Sequence, residues 1–263
     1  MIAPIIEAAL GLSVWVPEDF NTDQFGTFTR EKARRGTQLE VVRAKARTAM
    51  ERYRYPIGIA SEGSFAAHPQ MPFLQSNLEL VVLIDDTAGV EVVGQARSST
   101  VTPKQAVVTS VGAAMEQANA WGFPKQGVIL RANVHARRGI EKELCTWDEL
   151  QSAVTRRLRW PWVRSLTLET DMRAHRCPAR QETIAAATRD VTSRYLQRCP
   201  QCQAPGFVAT GVARTATCAL CQLPTDVPQI EVCLCSVCGY RVDRPISGAP
   251  TQADPGNCAR CNP

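Results

Sequence analysis

The sequence predicts a mixed α/β fold followed by a small cysteine-rich tail. Up to about residue 198, segments with helical spacing of apolar residues alternate with short apolar runs typical of strands. From Cys199 onwards the chain is rich in Cys, Pro and Gly, and only short strand-like pieces remain. We therefore expect two domains: an α/β domain over residues 1–198, with a mixed sheet flanked by helices, and a cysteine-rich domain over residues 199–263.

The elements of the first domain follow from apolar spacing and from turn residues. Residues 39–54 place Leu39, Val42 and Ala46 on one face of a helix. Residues 78–85 and 90–94 form a predicted hairpin with Gly89 in its turn. The other predicted helices cover 2–10, 104–121, 148–159 and 181–197, and the other predicted strands cover 13–16, 57–60, 127–134 and 166–170.

The composition is that of a globular protein, with 263 residues of which 44% are apolar and 21% charged. No apolar run approaches the length of a membrane span, and the apolar N-terminal stretch carries Glu7 and no basic residue. We therefore expect a cytoplasmic protein without a membrane partner. In that compartment, eleven cysteines indicate metal binding rather than disulfides.

The positive charge is concentrated in the middle of the chain. Residues 145–198 carry ten arginines, no lysine and six acidic residues, whereas residues 199–263 carry four of each sign. Arginine is suited to bidentate contact with phosphate or carboxylate. The basic segment therefore favours an anionic partner, and the neutral tail does not.

Four C-x-x-C pairs in the tail predict a double zinc ribbon. They are Cys199/Cys202, Cys218/Cys221, Cys235/Cys238 and Cys258/Cys261, with fifteen residues between the first two pairs and nineteen between the last two. Each pair presents two thiolates on a tight turn, and two pairs complete one tetrahedral site. Eight thiolates therefore predict two structural zinc ions. Sequential pairing is the simplest arrangement, interleaved pairing of first with third and second with fourth stays open, and disulfides or iron–sulfur clusters are the alternatives to zinc.

The remaining cysteines, Cys145, Cys177 and Cys233, are expected to be ordinary small side chains. A site closed by four cysteines is structural, so the tail is expected to stabilise the fold or to dock a protein partner. Nucleic-acid binding by the tail is less favoured because it lacks a basic surface.

Charged side chains in the first domain predict a second kind of site. Glu62 and Asp171 each follow a predicted strand, where side chains of an α/β domain converge on a ligand crevice. Together with Glu169 and Asp23, they are candidates to hold Mg²⁺ or Mn²⁺, with Glu62 and Asp171 in a catalytic role. The alternatives are a helix cap at Asp171 or Thr170 and an ordinary turn at residues 62–64.

The basic side chains near Asp171 complete the predicted site. Arg173 and Arg180 are candidates to bind a phosphate or carboxylate group of a small molecule. His175 is the candidate catalytic histidine, and its alternative is a structural role as a hydrogen-bonded residue.

Six spaced motifs resemble an uncharacterised bacterial family of unknown function with a C-terminal double zinc ribbon (DUF6671-like). These motifs are FNTDQFGTFTRE, ASEGSF-x-x-HP, ETDMRAHRCPAR, CPQCQAPGF, CALCQLPT and ADPGNCARCNP. The chain departs from the family pattern H-x-N-P-T-R-M at residues 175–181, and it begins at the I-A-P helix, before which the family pattern has a strand and an A-T-K-H-G-K-E loop. The resemblance implies the ribbon tail, and these departures imply a weakened or lost activity.

The order of elements around AKARTAM also resembles inosine-triphosphate pyrophosphatases. That resemblance implies that Lys45 precedes the site, that Glu62 binds Mg²⁺, and that His175 and Arg176 lie near a purine. The resulting expectation is a domain that binds a phosphorylated, nucleotide-like ligand with a divalent cation, as a metal-dependent phosphohydrolase. The alternative is a non-catalytic binding module whose zinc ribbons dock protein or nucleic acid.

Overall fold

A computed structural model describes residues 1–25, 36–69, 71–132 and 140–263. In this part of the chain the helices are α1 (Ile2–Leu10), α2 (Gln38–Tyr53), α3 (Val111–Ala120), α4 (Trp147–Leu158) and α5 (Pro178–Leu196). The strands are β1 (Ile57–His68), β2 (Met71–Asp85), β3 (Val90–Ser98), β4 (Gln105–Val108), β5 (Val128–Ala132), β6 (Ile140–Leu144), β7 (Leu166–Thr170), β8 (Ala209–Cys218), β9 (Pro224–Leu234), β10 (Arg241–Pro245) and β11 (Gln252–Ala253). They form three sheets, in the orders β1-β2-β3, β4-β7-β5-β6 and β10-β9-β8-β11.

The first sheet lies between two helical layers. Strand β2 is central, and successive side chains of a strand point to opposite faces. Val82 and Ile84 pack against α2 on one face, while Val81 and Leu83 pack against α5 on the other. This burial on both faces explains why residues 80–84 are continuously apolar in character rather than alternating.

Gly94 allows α5 to contact β3 directly. A Cβ atom at this position would lie 2.3 Å from the backbone nitrogen of Val191 and 2.4 Å from the backbone oxygen of Ala187. Both neighbours belong to the helix backbone, so neither can move aside by changing a rotamer. The glycine therefore sets the distance between α5 and the sheet.

The second sheet has its own core beneath α3 and α4. Leu130, Leu166 and Leu168 of its central strands pack with Leu150 and Val154 of α4. Helix α4 begins at a capping box in which Thr146 and Glu149 satisfy each other's backbone N–H groups. The N-cap fixes where the helix begins, and its apolar face then covers the sheet.

The mixed α/β class is confirmed, with two differences in the sheet arrangement. The expected single sheet is two separate sheets, and every described strand pairing within them is antiparallel. The helix predicted from residue 104 begins at Val111, because Ser110 caps it and residues 105–108 pair with β7 instead. Residues 13–16 were wrongly predicted as a strand and have no regular structure.

The tail consists of a small sheet built around the antiparallel β8–β9 hairpin. Strand β10 pairs with β9 in antiparallel register, and the short strand β11 pairs with β8 in parallel register.

Within the described ranges, no helix has both the length and the apolar character required to cross a bilayer. The boundary near residue 198 stays a prediction.

Candidate metal centres and candidate ligand cavity

Two groups of four cysteine thiols converge in the tail, and the four sulfur atoms of each group lie within 4.8 Å of one another. Cluster 1 consists of Cys199, Cys202, Cys235 and Cys238, and cluster 2 consists of Cys218, Cys221, Cys258 and Cys261. Across the described ranges, no other group of three or more His, Cys, Asp or Glu side chains is close enough to hold a metal ion. The structure thus brings the eight predicted cysteine ligands together as two sets of four.

The sulfur spacing fits a tetrahedral metal site. Sulfur–sulfur distances are 3.7 and 3.6 Å in cluster 1 and 3.6 and 3.9 Å in cluster 2. Four thiolates about 2.3 Å from one zinc ion lie about 3.8 Å apart at the corners of a tetrahedron. A disulfide would require about 2.05 Å, and all eleven cysteines are free thiols. The donor set and its spacing therefore suit a four-coordinate metal ion better than disulfides.

Backbone N–H groups in the C-x-x-C turns stabilise the thiolate form. The backbone N–H of Cys238 lowers the pKa of Cys235 to about 6. The backbone N–H of Cys261 likewise lowers the pKa of Cys258 to about 7. The thiolate is the metal-binding form, and without a metal ion it is favoured at one cysteine of each cluster, while burial and hydrogen bonds to the neighbouring sulfurs raise the pKa of Cys238 and of Cys261 to about 12.

The pairing of the C-x-x-C turns is interleaved, which is one of the two arrangements that the sequence left open, and not the simpler sequential one. The hairpin register places Ala209 at the start of β8 opposite Cys233 at the end of β9. The first and third C-x-x-C turns therefore meet at that end of the hairpin. At the other end, β11 pairs with Cys218, which brings the fourth turn to the second.

The three other cysteines lie outside both clusters, as expected. Cys233 is fully buried among Phe207 and other apolar side chains of the tail core. Burial raises the pKa of the Cys177 thiol, and Cys145 is exposed. None of them belongs to a metal-ligand group.

A cavity of about 870 Å³ lies against α2 and β1 in the first domain. Lys45, Ala49 and Tyr53 of α2 line it at four-residue intervals, which places them on one helix face. Lys45 and Tyr53 are about 12 Å apart along the helix axis at a rise of about 1.5 Å per residue. Because β1 returns beside α2, the cavity has one end near the α2–β1 turn and another near Lys45.

Lys45 and Glu62 mark one end of the cavity. Lys45 Nζ lies 2.5 Å from Glu62 Oε2, and both side chains are largely buried. Glu62 lies inside β1 and not at the end of a strand, since β1 extends to His68. Its placement differs from the prediction because residues 61–67 continue to pair with β2 in regular register, and the register shifts only at His68.

Arg173 contributes a second cation at this end, and Asp171 orients it. The carboxylate of Asp171 accepts hydrogen bonds from Nε and Nη2 of Arg173, at 3.0 and 2.5 Å, and from its backbone N–H at 3.0 Å. These hydrogen bonds raise the pKa of the Arg173 guanidinium, so it stays charged. Arg173 also contacts Glu143, and His175 Nε2 lies 3.8 Å from Glu143 Oε1 in an exposed position.

Arg180 reaches the same end of the cavity but is engaged in a buried ion pair. Its Nε and Nη2 donate to the two carboxylate oxygens of Glu79 at 2.7 and 3.1 Å. Glu79 is fully buried and Arg180 nearly so. A Cβ atom at Gly63 would lie 2.3 Å from Nη2 of Arg180, so the glycine makes room for the pair. Arg180 thus joins α5 to β2.

The other end of the cavity is aromatic, and the sequence analysis did not predict it. Trp15 packs edge-on against Tyr53, with ring centroids 4.9 Å apart, and lies 5.7 Å from Tyr55. Phe20 lies 6.3 Å from Tyr53. Trp15 and Tyr55 remain about half exposed. The only signal was the number of aromatic residues flanking a helix end in an otherwise aromatic-poor chain.

Four of the predicted residues, Glu62, Arg173, His175 and Arg180, therefore line one cavity. Asp171 is linked to it through Arg173. Glu169 is not brought to the other acids, since it pairs with Arg131 within the second sheet. The side chain of Asp23 lies outside the described residues.

Comparison with known proteins places the chain in a family. A family model described as a domain of unknown function (DUF6671) matches residues 45–263, a segment that begins at Lys45 and includes both thiol clusters. Neither the curated proteins nor the solved structures provide a match. The likeness to inosine-triphosphate pyrophosphatases therefore stays a prediction. Because the family model covers well over half of the sequence, the chain belongs to the DUF6671 family.

Proposed function

We propose that the cavity binds a phosphorylated, nucleotide-like small molecule. The observation that carries this proposal is the pairing of a cationic end with an aromatic end about 12 Å away along α2. A nucleotide has the same division, with a planar base at one end and phosphates at the other. We place the base beside Trp15 and Tyr55 and the phosphates beside Lys45 and Arg173.

The fixed positions of the cationic side chains at this end support a phosphate. Among the described residues that line the cavity, Lys45, Lys142, Arg173 and Arg180 are cationic, and Glu62 is the one carboxylate. Glu62 neutralises Lys45, and Glu79 neutralises Arg180. Asp171 and Glu143 both form ion pairs with Arg173 and hold it in place. A bound phosphate would add charge-assisted hydrogen bonds to groups that are already held in position.

A more specific proposal is that the domain also hydrolyses this ligand with the help of a divalent cation. For Glu62 to bind Mg²⁺ or Mn²⁺, its carboxylate would have to exchange Lys45 for the cation, because Lys45 Nζ lies only 2.5 Å away. Carboxylates are suitable ligands for either ion, but a single one makes a weak site without the phosphates themselves. We therefore make ligand binding the main proposal and turnover an outcome of the same experiment.

The test is calorimetric titration of the full chain with inosine and adenosine triphosphates and with inorganic pyrophosphate, each with and without Mn²⁺. Trp15→Ala should weaken nucleotide binding several-fold and leave pyrophosphate binding unchanged. Lys142→Gln should weaken both. Phe73→Ala and Lys125→Gln, which alter exposed residues away from the cavity, are the matched controls.

Absence of nucleotide and pyrophosphate binding would refute the proposal. Binding that Trp15→Ala leaves unchanged would refute the placement of the base. Phosphate release that depends on Mn²⁺ and is lost in Glu62→Gln would support hydrolysis as well as binding.

For the tail, the proposed occupant of each thiol cluster is one structural zinc ion, held by four thiolates with no position left for a substrate. Elemental analysis should find two zinc ions per chain. The double variant Cys199→Ser/Cys235→Ser should retain one ion, because both residues belong to cluster 1. Cys199→Ser/Cys218→Ser should retain none. Iron in place of zinc would refute the metal assignment, and the reverse result for the two variants would refute the pairing.

A further inference from the structure

Residues 159–164, which read RWPWVR, form an exposed turn after α4 that we call the arginine–tryptophan turn. The backbone N–H of Trp160 donates to the oxygen of Arg157, and the N–H of Val163 donates to the oxygen of Trp160. Val163 is buried in the core of the second sheet. Val163 therefore anchors the turn to the core of the second sheet, and β7 begins shortly after the turn, at Leu166.

Both tryptophans of this turn face outwards. Trp160 is 51% exposed and Trp162 is 61% exposed. Their ring centroids are 4.9 Å apart with an interplanar angle of 43°, so the two rings support each other and leave their outer faces accessible. A tryptophan side chain buries more apolar surface on folding than any other side chain. Two neighbouring indoles that stay exposed give up this stabilisation, which indicates that the pair has a binding role.

Two arginines beside these rings have charge available for a partner. Arg156 and Arg157 are both held by Glu141, at 2.5 Å each. Arg159 and Arg164 are exposed, and neither makes an ion pair within the described ranges. They flank the two tryptophans in sequence and, unlike Arg173 and Arg180 of the same arginine-rich segment, they do not line the cavity.

We propose that the arginine–tryptophan turn binds single-stranded nucleic acid. Unpaired bases would stack on the outer faces of Trp160 and Trp162, and Arg159 and Arg164 would contact the phosphates on either side. A membrane surface is the competing partner of similar charge. It is less favoured because the exposed large hydrophobic side chains of the turn are the two indoles, without exposed Leu, Ile or Val side chains that would enter the acyl region.

The test measures fluorescence anisotropy of labelled 12-nucleotide oligo(dT) and oligo(rU) titrated with the full chain over a range of salt concentrations. Trp160→Leu should weaken binding about 5- to 100-fold, whereas Trp160→Tyr should retain most of it, because stacking needs an aromatic face. Phe73→Leu, at a more exposed aromatic residue of β2, should have no effect. Thermal melting of each variant checks that the exposed substitution leaves the fold intact.

The arginines have a separate signature. Arg159→Gln/Arg164→Gln should reduce the slope of log affinity against log salt concentration by about 1.4, since each phosphate contact contributes about 0.7 for single strands. Arg189→Gln, at an exposed arginine of α5, is the control. The proposal is overturned if the wild type does not bind the oligonucleotides, if Trp160→Leu binds them as tightly, or if only vesicles containing phosphatidylserine are bound.

Discussion

The buried pair of Arg180 and Glu79 allows a sharp test of what Arg180 contributes. Arg180→Met keeps most of the side-chain volume but leaves the fully buried carboxylate of Glu79 with the amide of Asn77, at 2.8 Å, as its remaining side-chain donor among the described contacts. Removing one partner of a buried ion pair costs about 3–5 kcal/mol. That loss is a large share of the 5–15 kcal/mol that stabilises a typical domain.

The measurement is the free energy of unfolding of the full chain from urea titrations followed by circular dichroism. Glu79→Met/Arg180→Met should recover most of the loss, because replacing both charges removes the uncompensated carboxylate. Arg194→Met, which breaks a partly exposed pair with Asp190 on the same helix, should cost below about 1 kcal/mol.

Arg180→Met with a loss of under about 1 kcal/mol, comparable to the Arg194 control, would refute a structural role for the pair. If that variant instead kept its stability and lost pyrophosphate binding, the phosphate contact predicted from the sequence would be the correct role of Arg180.

Two further predictions concern the first sheet. Burial raises the pKa of Asp85, but hydrogen bonds from Thr87 and Tyr195, among others, outweigh it and lower the pKa below 3.8. The stabilisation is therefore complete near neutral pH and is lost as the pH falls from about 5 through the folded value, so the difference in unfolding free energy between wild type and Asp85→Asn, about 1.5–3 kcal/mol at pH 7, should decrease only in acid. Gly94→Ala should cost at least about 1–3 kcal/mol in urea titrations because of its contact with α5, whereas Gly112→Ala, with no atom within 4 Å of the added Cβ, should be neutral or slightly stabilising.

Features of the sites that depend only on residues close together in the sequence were predictable. A C-x-x-C turn brings two thiols together by local geometry alone, so the ligand pairs followed from spacing. Their assembly depends on the register of β8 against β9 and on the parallel contact of β11, which the sequence does not encode locally. The choice between sequential and interleaved pairing therefore stayed open although every ligand pair was expected.

The cavity shows the same limit. Glu62, Arg173 and His175 were predicted because charged residues at strand ends and loops are conspicuous. The ion-pair partner of Arg180 was missed because Glu79 lies within the apolar run LELVVLID, where a carboxylate gives no sign of a contact 101 positions away. Trp15 was missed because residues 13–16 resemble a strand. Only its packing against Tyr53 and Tyr55 shows that it lines the cavity.

The interleaved clusters have a consequence for how the tail is made. During translation, Cys199, Cys202, Cys218 and Cys221 leave the ribosome before Cys235 and Cys238, and those first four thiols are themselves a complete ligand set. Cys238 follows Cys221 by seventeen residues, which corresponds to about 1–3 s at typical bacterial to eukaryotic rates. A metal ion captured in that interval would join thiols that belong to different native clusters. Correct assembly would then require ligand exchange after synthesis, so the timing of metal supply would affect the yield of native protein.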